Sequence, residues 1–369
     1  MTVSGVTAQP QARPVAKRAL LGVGKGIRKV AEALATPLLP EDFLDLINPL
    51  GSGADLRGRV VAVQPEGPGA TTVTIRPSRG WVPHTPGQYT RIGIDVDGVR
   101  LWRAYSITSP VGGSTFTITV RRIPDGKVSN HVARALRPGS VIHLDRATGD
   151  FVLPYPPPAK VLFLTAGSGI TPVMGMLRNR PLPADVVVVH SAPTAQESLF
   201  LAELRTLDAA GRIRLVTRFT ADDGILTPDQ LDGVVPDWRE REAWACGPAA
   251  MLDDAESHWE AAGLRERLHT ERFRAAVVAV GDGGAITFDQ SERTVEADAA
   301  TTILDAGEDA GILMPAGCRM GICFNCVLPL TEGSVRDLRT GELTTADPQD
   351  PVRIQTCVSA AAGACRITI

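Results

Sequence analysis

A chain of 369 residues is too long for one ordinary hydrophobic core, so two or three domains are expected. Its 41 acidic and 38 basic residues leave a net charge of −3, which gives no global pull toward nucleic acid, and no run of 18 apolar residues spans a bilayer. Six cysteines and no apolar leader argue for a reducing, cytoplasmic compartment, where clustered thiols hold metal more often than they form disulfides.

Residues 1–13 are polar and contain Pro and Gln, a composition expected to be disordered. From Ala16 an apolar series of helical period follows (Leu20, Val23, Ile27, Val30, Leu34), flanked by Lys17, Arg18, Lys25, Arg28 and Lys29. Residues 14–35 therefore read as a basic amphipathic helix within an N-terminal extension over 1–55. It packs on the body of the protein, contacts a membrane surface or partner, or serves as an organellar transit peptide.

Between Leu56 and residue 157 the text is strand-like. "GRVVAVQP", "ATTVTIRP", "GQYTRIGIDV", "LWRAYSITS", "TFTITVRRI" and "SVIHLDRA" are short β-rich runs between Gly/Pro turns, and their spacing predicts an antiparallel barrel. After the Pro-rich "LPYPPPAK" the pattern changes, from 158 to 276. "VLFLTAG", "DVVVVHSA", "IRLVTRF" and "EAWACGP" read as buried strands, with helices over 195–210 and 248–263, which argues a parallel sheet wound with helices. "AVVAVGDGGA" marks a second seam, and residues 285–369 form a last segment.

That segment holds "CRMGICFNC". Cys318, Cys323 and Cys326 are spaced C-x4-C-x2-C, and Cys357 follows in "IQTCVSA". This is the plant-type spacing for a [2Fe–2S] cluster, whereas structural zinc generally takes paired C-x2-C knuckles and only one such pair is present. Gly317 and Gly321 suit a loop whose backbone closely approaches a cluster. Arg319 reads equally as a solvated charge, a partner-facing charge or a cluster-tuning group. Cys365, in "ACRITI", reads as a core residue.

The loop "PAGCRMGICFNC" resembles that of plant-type ferredoxins, and the preceding 220 residues resemble the ferredoxin–NADP reductase superfamily. The resemblance implies a multidomain α/β plus β protein: a flavin-binding antiparallel barrel, a doubly wound nicotinamide domain and a β-grasp ferredoxin domain. It implies FAD, with FMN open because one branch of these reductases uses it, together with NAD(P)H and a [2Fe–2S] cluster ligated by Cys318, Cys323, Cys326 and Cys357. "RAYSITS" matches the family's flavin motif. Arg103 is then expected on the flavin pyrophosphate, Tyr105 on the isoalloxazine and Ser106 near N5 or O4. "GKVSNHV", with Lys127, Val128 and Ser129, resembles the second phosphate loop, with Ser129 as a possible cap of a short helix.

"LTAGSGITPVMGML" gives a strand, a glycine turn and a helix start. Gly167, Ser168 and Gly169 open it to a pyrophosphate and Thr171 marks the helix start, although the generic G-x-G-x-x-G pattern is not met. "ACGPAAML" resembles the family's C-G-P segment (Cys246, Gly247, Pro248), which places Cys246 beside the nicotinamide; a buried strand thiol is the alternative. "HTERF" resembles the acidic–aromatic end of that domain, which offers Glu271 as a proton relay; an exposed carboxylate is the alternative. Ser191, Thr194 and Arg218 supply donors past the second and third strands, which favours NADPH; Arg218 as a plain charged residue on a strand end is the alternative.

The expected activity is electron transfer from NAD(P)H through the flavin to the cluster. The expected acceptor is a partner protein (an oxygenase, a cytochrome P450 or a desaturase), and the chain is expected to be a monomer. The alternatives are a redox sensor, or a flavin reductase whose cluster lies off the turnover path.

Overall fold

The computed structural model describes residues 50, 56–96, 99–124, 126–179, 181–273, 282–317, 319–321 and 324–369. The basic stretch at 14–35 lies outside the described residues, as do Cys318 and Cys323. Among the described residues no helix is long and apolar enough to cross a membrane.

The first six strands are β1 (Arg57–Pro65), β2 (Ala70–Pro77), β3 (Tyr89–Val96), β4 (Val99–Ser106), β5 (Phe116–Arg121) and β6 (Val141–Leu144). They form one antiparallel sheet in the order β4-β3-β6-β1-β2-β5. A bridge between Ile107 and Ile118 joins the continuation of β4 to β5, so the two ends of the sheet meet. Side chains alternate as strand geometry requires: Val73 and Ile75 of β2, with Phe116, Ile118 and Val120 of β5, fill the interior. Helix α1 (Lys127–Arg134) adds Val128 and Val132 to this core. Each fully buried side chain of this size contributes roughly 1.5–3 kcal/mol.

The next sheet is parallel, in the order β11-β10-β7-β8-β9, from β7 (Lys160–Ala166), β8 (Asp185–Ala192), β9 (Arg214–Phe219), β10 (Glu242–Cys246) and β11 (Leu268–Glu271). "VLFL" and "VVVV" are apolar at every position because both faces are covered. Helices α2 (Ile170–Leu177) and α3 (Leu201–Ala209) contribute to one core, and α4 (Ala249–Ala261) to the other. The chain leaves β7 toward β8 and later returns to β10 on the other side. The order therefore reverses between β7 and β10, the place where open parallel sheets bind ligands.

The last sheet is mixed: β12 (Gly284–Phe288), β13 (Arg293–Ala297), β14 (Val327–Asp337), β15 (Leu343–Ala346), β16 (Val352–Gln355) and β17 (Ser359–Ile367). Its order is β13-β12-β17-β14-β15, with β16 also on β14, and β12 runs parallel to β17. Helix α5 (Ile303–Asp309) buries Ile303, Leu304 and Ala306 in the same core as Cys326, Cys357 and Cys365. Together these are the barrel, the doubly wound sheet and the β-grasp unit that the resemblance implies.

Polar links tie the barrel to the parallel sheet. Arg178 pairs with Glu203 through two bonds and donates to the Thr108 carbonyl at 2.7 Å. Arg121 donates to the Glu197 carbonyl, and the Val111 N–H donates to Asn179 Oδ1 at 2.9 Å.

Two expectations shift. The helix over 195–210 begins only at Leu201, because Phe200 adopts a left-handed φ of 57°. Ser129 is not a helix cap. Gly126 occupies that position, and Ser129 lies in the first turn, donating back to the Gly126 carbonyl at 3.2 Å.

Candidate functional site

β4 delivers the "RAYS" side chains in register with β3: Arg103 opposite Ile92, Tyr105 opposite Thr90, Ser106 opposite Tyr89. Ser106 is buried, and its Oγ has no hydrogen-bond partner among the described residues. A buried hydroxyl without a partner costs about 1–3 kcal/mol, so this atom fits a ligand acceptor such as a flavin heteroatom. Tyr105 is half-buried, and burial pushes its phenol up to about 12. Arg103 donates to the Trp102 carbonyl at 2.8 Å; burial lowers its pKa, followed by the positive charge of Arg319. Glu308 and Asp305 act on it in the opposite direction, so Arg103 lies within electrostatic reach of the ferredoxin-like unit. Around the start of α1 a groove of about 540 Å³ is lined by Gly126, Lys127, Asn130, Arg122 and Arg134. Its three cations suit a diphosphate.

The β7–α2 turn is built on two glycines with different duties. Gly167 has φ +55° and open space around it, so it supplies a left-handed turn. Gly169 supplies close approach: a Cβ there would stand 1.9 Å from the Cys246 carbonyl oxygen. Thr171 Oγ1 donates to the Ser168 carbonyl at 2.9 Å and holds the turn. Beyond it opens a mostly apolar cavity of about 460 Å³, lined by Gly167, Ser191, Thr220, Pro248, Met251 and Trp259 among others. Ser191 sits opposite Arg218 in the β8–β9 register. Arg218 donates to the Gly224 carbonyl at 2.9 Å and to that of Asp223, and Thr194 bonds Glu197 instead.

Cys246 and Glu271 are register partners on β10 and β11. The Cys246 side chain is fully buried and does not line the cavity, which Pro248 reaches after it. Burial, then the Glu271 charge, pushes its thiol well up. Glu271 is half-buried, its Oε2 has no partner among the described residues, and burial raises its carboxyl to about 8. An exposed carboxylate is thereby excluded. Arg272 anchors the strand end on α4 through Asp253 and Glu256.

In the cysteine loop, Cys326 and Cys357 are buried with their sulfurs 3.2 Å apart. Two thiolates on one tetrahedral metal, with bonds of ~2.3 Å, stand about 3.8 Å apart, so the pair fits one metal with a small relaxation. Thr356 ties the two together, its N–H and hydroxyl both donating to the Cys326 carbonyl. Gly321, Arg319 and Phe324 all have positive φ, as a tightly wrapped loop requires. Arg319 is not a freely solvated charge: it pairs with Asp305 at 2.6 Å and with Glu308. The Arg339 and Gln355 side chains also reach this loop, and no motif in the sequence marks them.

This combination defines a flavin- and nicotinamide-dependent reductase with a ferredoxin-like module, and comparison with known proteins agrees. The oxidoreductase FAD-binding domain family matches residues 79–153, and the 2Fe-2S iron-sulfur cluster binding domain family matches residues 286–362. The chain is 48% identical over 354 residues to an NADPH oxidoreductase of Mycobacterium tuberculosis, covering 93% of this chain and 92% of that one. A glycine betaine monooxygenase reductase subunit of Chromohalobacter salexigens is 29% identical over 74% of this chain and 84% of its own. Phthalate dioxygenase reductase shares the fold, with a TM-score of 0.61 at 17% identity over 86% of this chain and 98% of that structure. The chain belongs to the ferredoxin–NADP reductase superfamily, in the group with a C-terminal [2Fe–2S] ferredoxin domain. It is an NAD(P)H-dependent oxidoreductase whose cofactors are FAD and the cluster.

Proposed function

We propose that the protein is an NADPH-driven electron-transfer reductase that passes electrons through FAD and the cluster to a partner oxygenase. The observation that carries this reading is the sharing of one compact unit by the Ser106 edge of the barrel, the β7–β10 switch point and the Cys326–Cys357 pair. When bound, FAD would supply two-electron acceptance of one hydride from the nicotinamide and one-electron delivery to the cluster.

In this reading the protein binds and orients. Ser106 Oγ holds the isoalloxazine edge, Tyr105 covers its face, and Arg103 with Lys127 and the α1 start neutralises the diphosphate. Gly167, Ser168 and Thr171 seat the coenzyme pyrophosphate, and the Gly247–Pro248 step shapes the wall of the nicotinamide pocket. Glu271 holds a proton on its carboxyl at neutral pH and can release it near the flavin, while Cys246, packed beside it, excludes water. Cys318, Cys323, Cys326 and Cys357 hold the cluster. The module boundaries proposed are 56–157, 158–276 and 285–369. An oxygenase acceptor is supported by the name of the glycine betaine monooxygenase reductase relative.

Cys326→Ser should abolish NADPH-driven cytochrome c reduction and leave ferricyanide reduction, which needs only the flavin. Retention of both would remove the cluster from the electron path. Ser191 and Arg218, with the name of the mycobacterial relative, support NADPH over NADH. Arg218→Ala is expected to raise the KM for NADPH at least tenfold with little change for NADH; an equal change for both would reject the phosphate role.

A further inference from the structure

Beneath the cysteine loop, side chains from two distant strand ends meet on a single carbonyl. Gly321 lies between Cys318 and Cys323 with φ +75°. Its oxygen accepts from Gln355 Nε2 at 2.8 Å and from Arg339 Nη1 at 3.2 Å. Gln355 Oε1 accepts in turn from Arg339 Nη2 at 3.1 Å, which closes a triangle. Asp337 grips the guanidinium from the other side, Nη2 at 2.7 Å and Nε at 3.1 Å. The turn carrying Arg339 is itself fixed, because the Leu338 N–H donates to the Val358 carbonyl at 2.7 Å.

The placement links the ligand-bearing segments. Gln355 ends β16, two residues before Cys357, while Gly321 sits inside the loop that bears the other thiols. The guanidinium also occupies the space a side chain at 321 would need: a Cβ there would stand 2.2 Å from Arg339 Nη1. The guanidinium therefore lies against the carbonyl of a residue between two of the cysteines.

We propose that Arg339 is a positioning residue of the iron–sulfur site: with Gln355 it locks the cysteine loop onto the strand end that carries Cys357, and it brings a cation against that loop. The proposal rests on the assignment of the four cysteines as ligands. The lock removes freedom from a loop that must otherwise open to release iron. The cation lessens the cost of adding an electron to an already anionic cluster, and the paired Asp337 carboxylate acts in the opposite direction.

The test uses the full-length holoprotein and R339Q and R339K. It reads bleaching of the cluster absorbance under excess EDTA, the one-electron midpoint potential of the cluster, and its EPR g-values. R339Q is expected to bleach at least tenfold faster and to shift the potential downward with altered g-values. R339K should keep most of the potential while still bleaching faster, since an ammonium cannot span Asp337, Gln355 and Gly321 together. Flavin absorbance and ferricyanide reduction should not change. Q355A removes one donor to Gly321 without altering charge; it should bleach faster at an unchanged potential, and it tests the lock if R339Q does not fold. Wild-type bleaching in both R339Q and Q355A overturns the lock, and an unchanged potential in R339Q overturns the charge effect. A wild-type protein without iron and sulfide would instead overturn the ligand assignment.

Discussion

Glu271 holds a proton at neutral pH because its carboxyl is half-buried and one oxygen finds no partner among the described residues. The folded-state pKa of about 8 exceeds the ordinary 4.5, so the folded form binds the proton more tightly than the unfolded chain. Below pH 4.5 both states are protonated and nothing is lost. From there to about pH 8 the unfolded chain ionises first, so stability falls as pH rises, and it levels off above. Glu271→Gln should flatten that slope in urea midpoints measured across the window; an unchanged slope would show that the carboxyl ionises freely. At this scale the sequence was uneven. "HTERF" pointed to Glu271, but burial depends on what packs around it. Arg319 left three readings open because its partners, Asp305 and Glu308, lie 14 and 11 residues away on a helix that only folding brings near.

At the scale of elements, the glycine turn after β7 is where sequence and structure agree most closely. "AGSGITP" read as an open turn, and the two glycines divide the work between conformation and clearance. Gly169→Ala places a methyl against a backbone carbonyl that cannot rotate away, which should cost about 3 kcal/mol or more. Gly167→Ala meets only left-handed strain, about 1–2 kcal/mol. Thermal unfolding and NADP⁺ titration of the two variants should therefore rank Gly169→Ala well below Gly167→Ala; the reverse order would contradict the close approach to Cys246. Strand periods were legible because β2, β5, β7 and β8 bury the faces their patterns dictate. Helix ends were not: Phe200 breaks its helix with a backbone angle unusual for a bulky residue, and "GKVSN" starts on Gly126 although a serine stands nearby.

Across the whole molecule, the module order was legible and the joints were not. Arg178 reaches Thr108 across 70 residues and Arg121 reaches Glu197 across 76, while the acidic pair on α5 influences Arg103 of the flavin edge. Such pairs join positions too far apart for any local pattern to report. They tie the barrel to the parallel sheet and bring α5 within electrostatic reach of the flavin edge, which a serial relay requires. Anaerobic titration of purified holoprotein with NADPH, followed by visible absorbance and EPR together with iron, sulfide and zinc analysis, tests that relay most directly. The account predicts one FAD and one [2Fe–2S] cluster per chain, bleaching of the flavin, and a reduced-cluster EPR signal that is missing in Cys357→Ser. Zinc in place of iron, or a flavin that bleaches while the cluster stays oxidised, would contradict it.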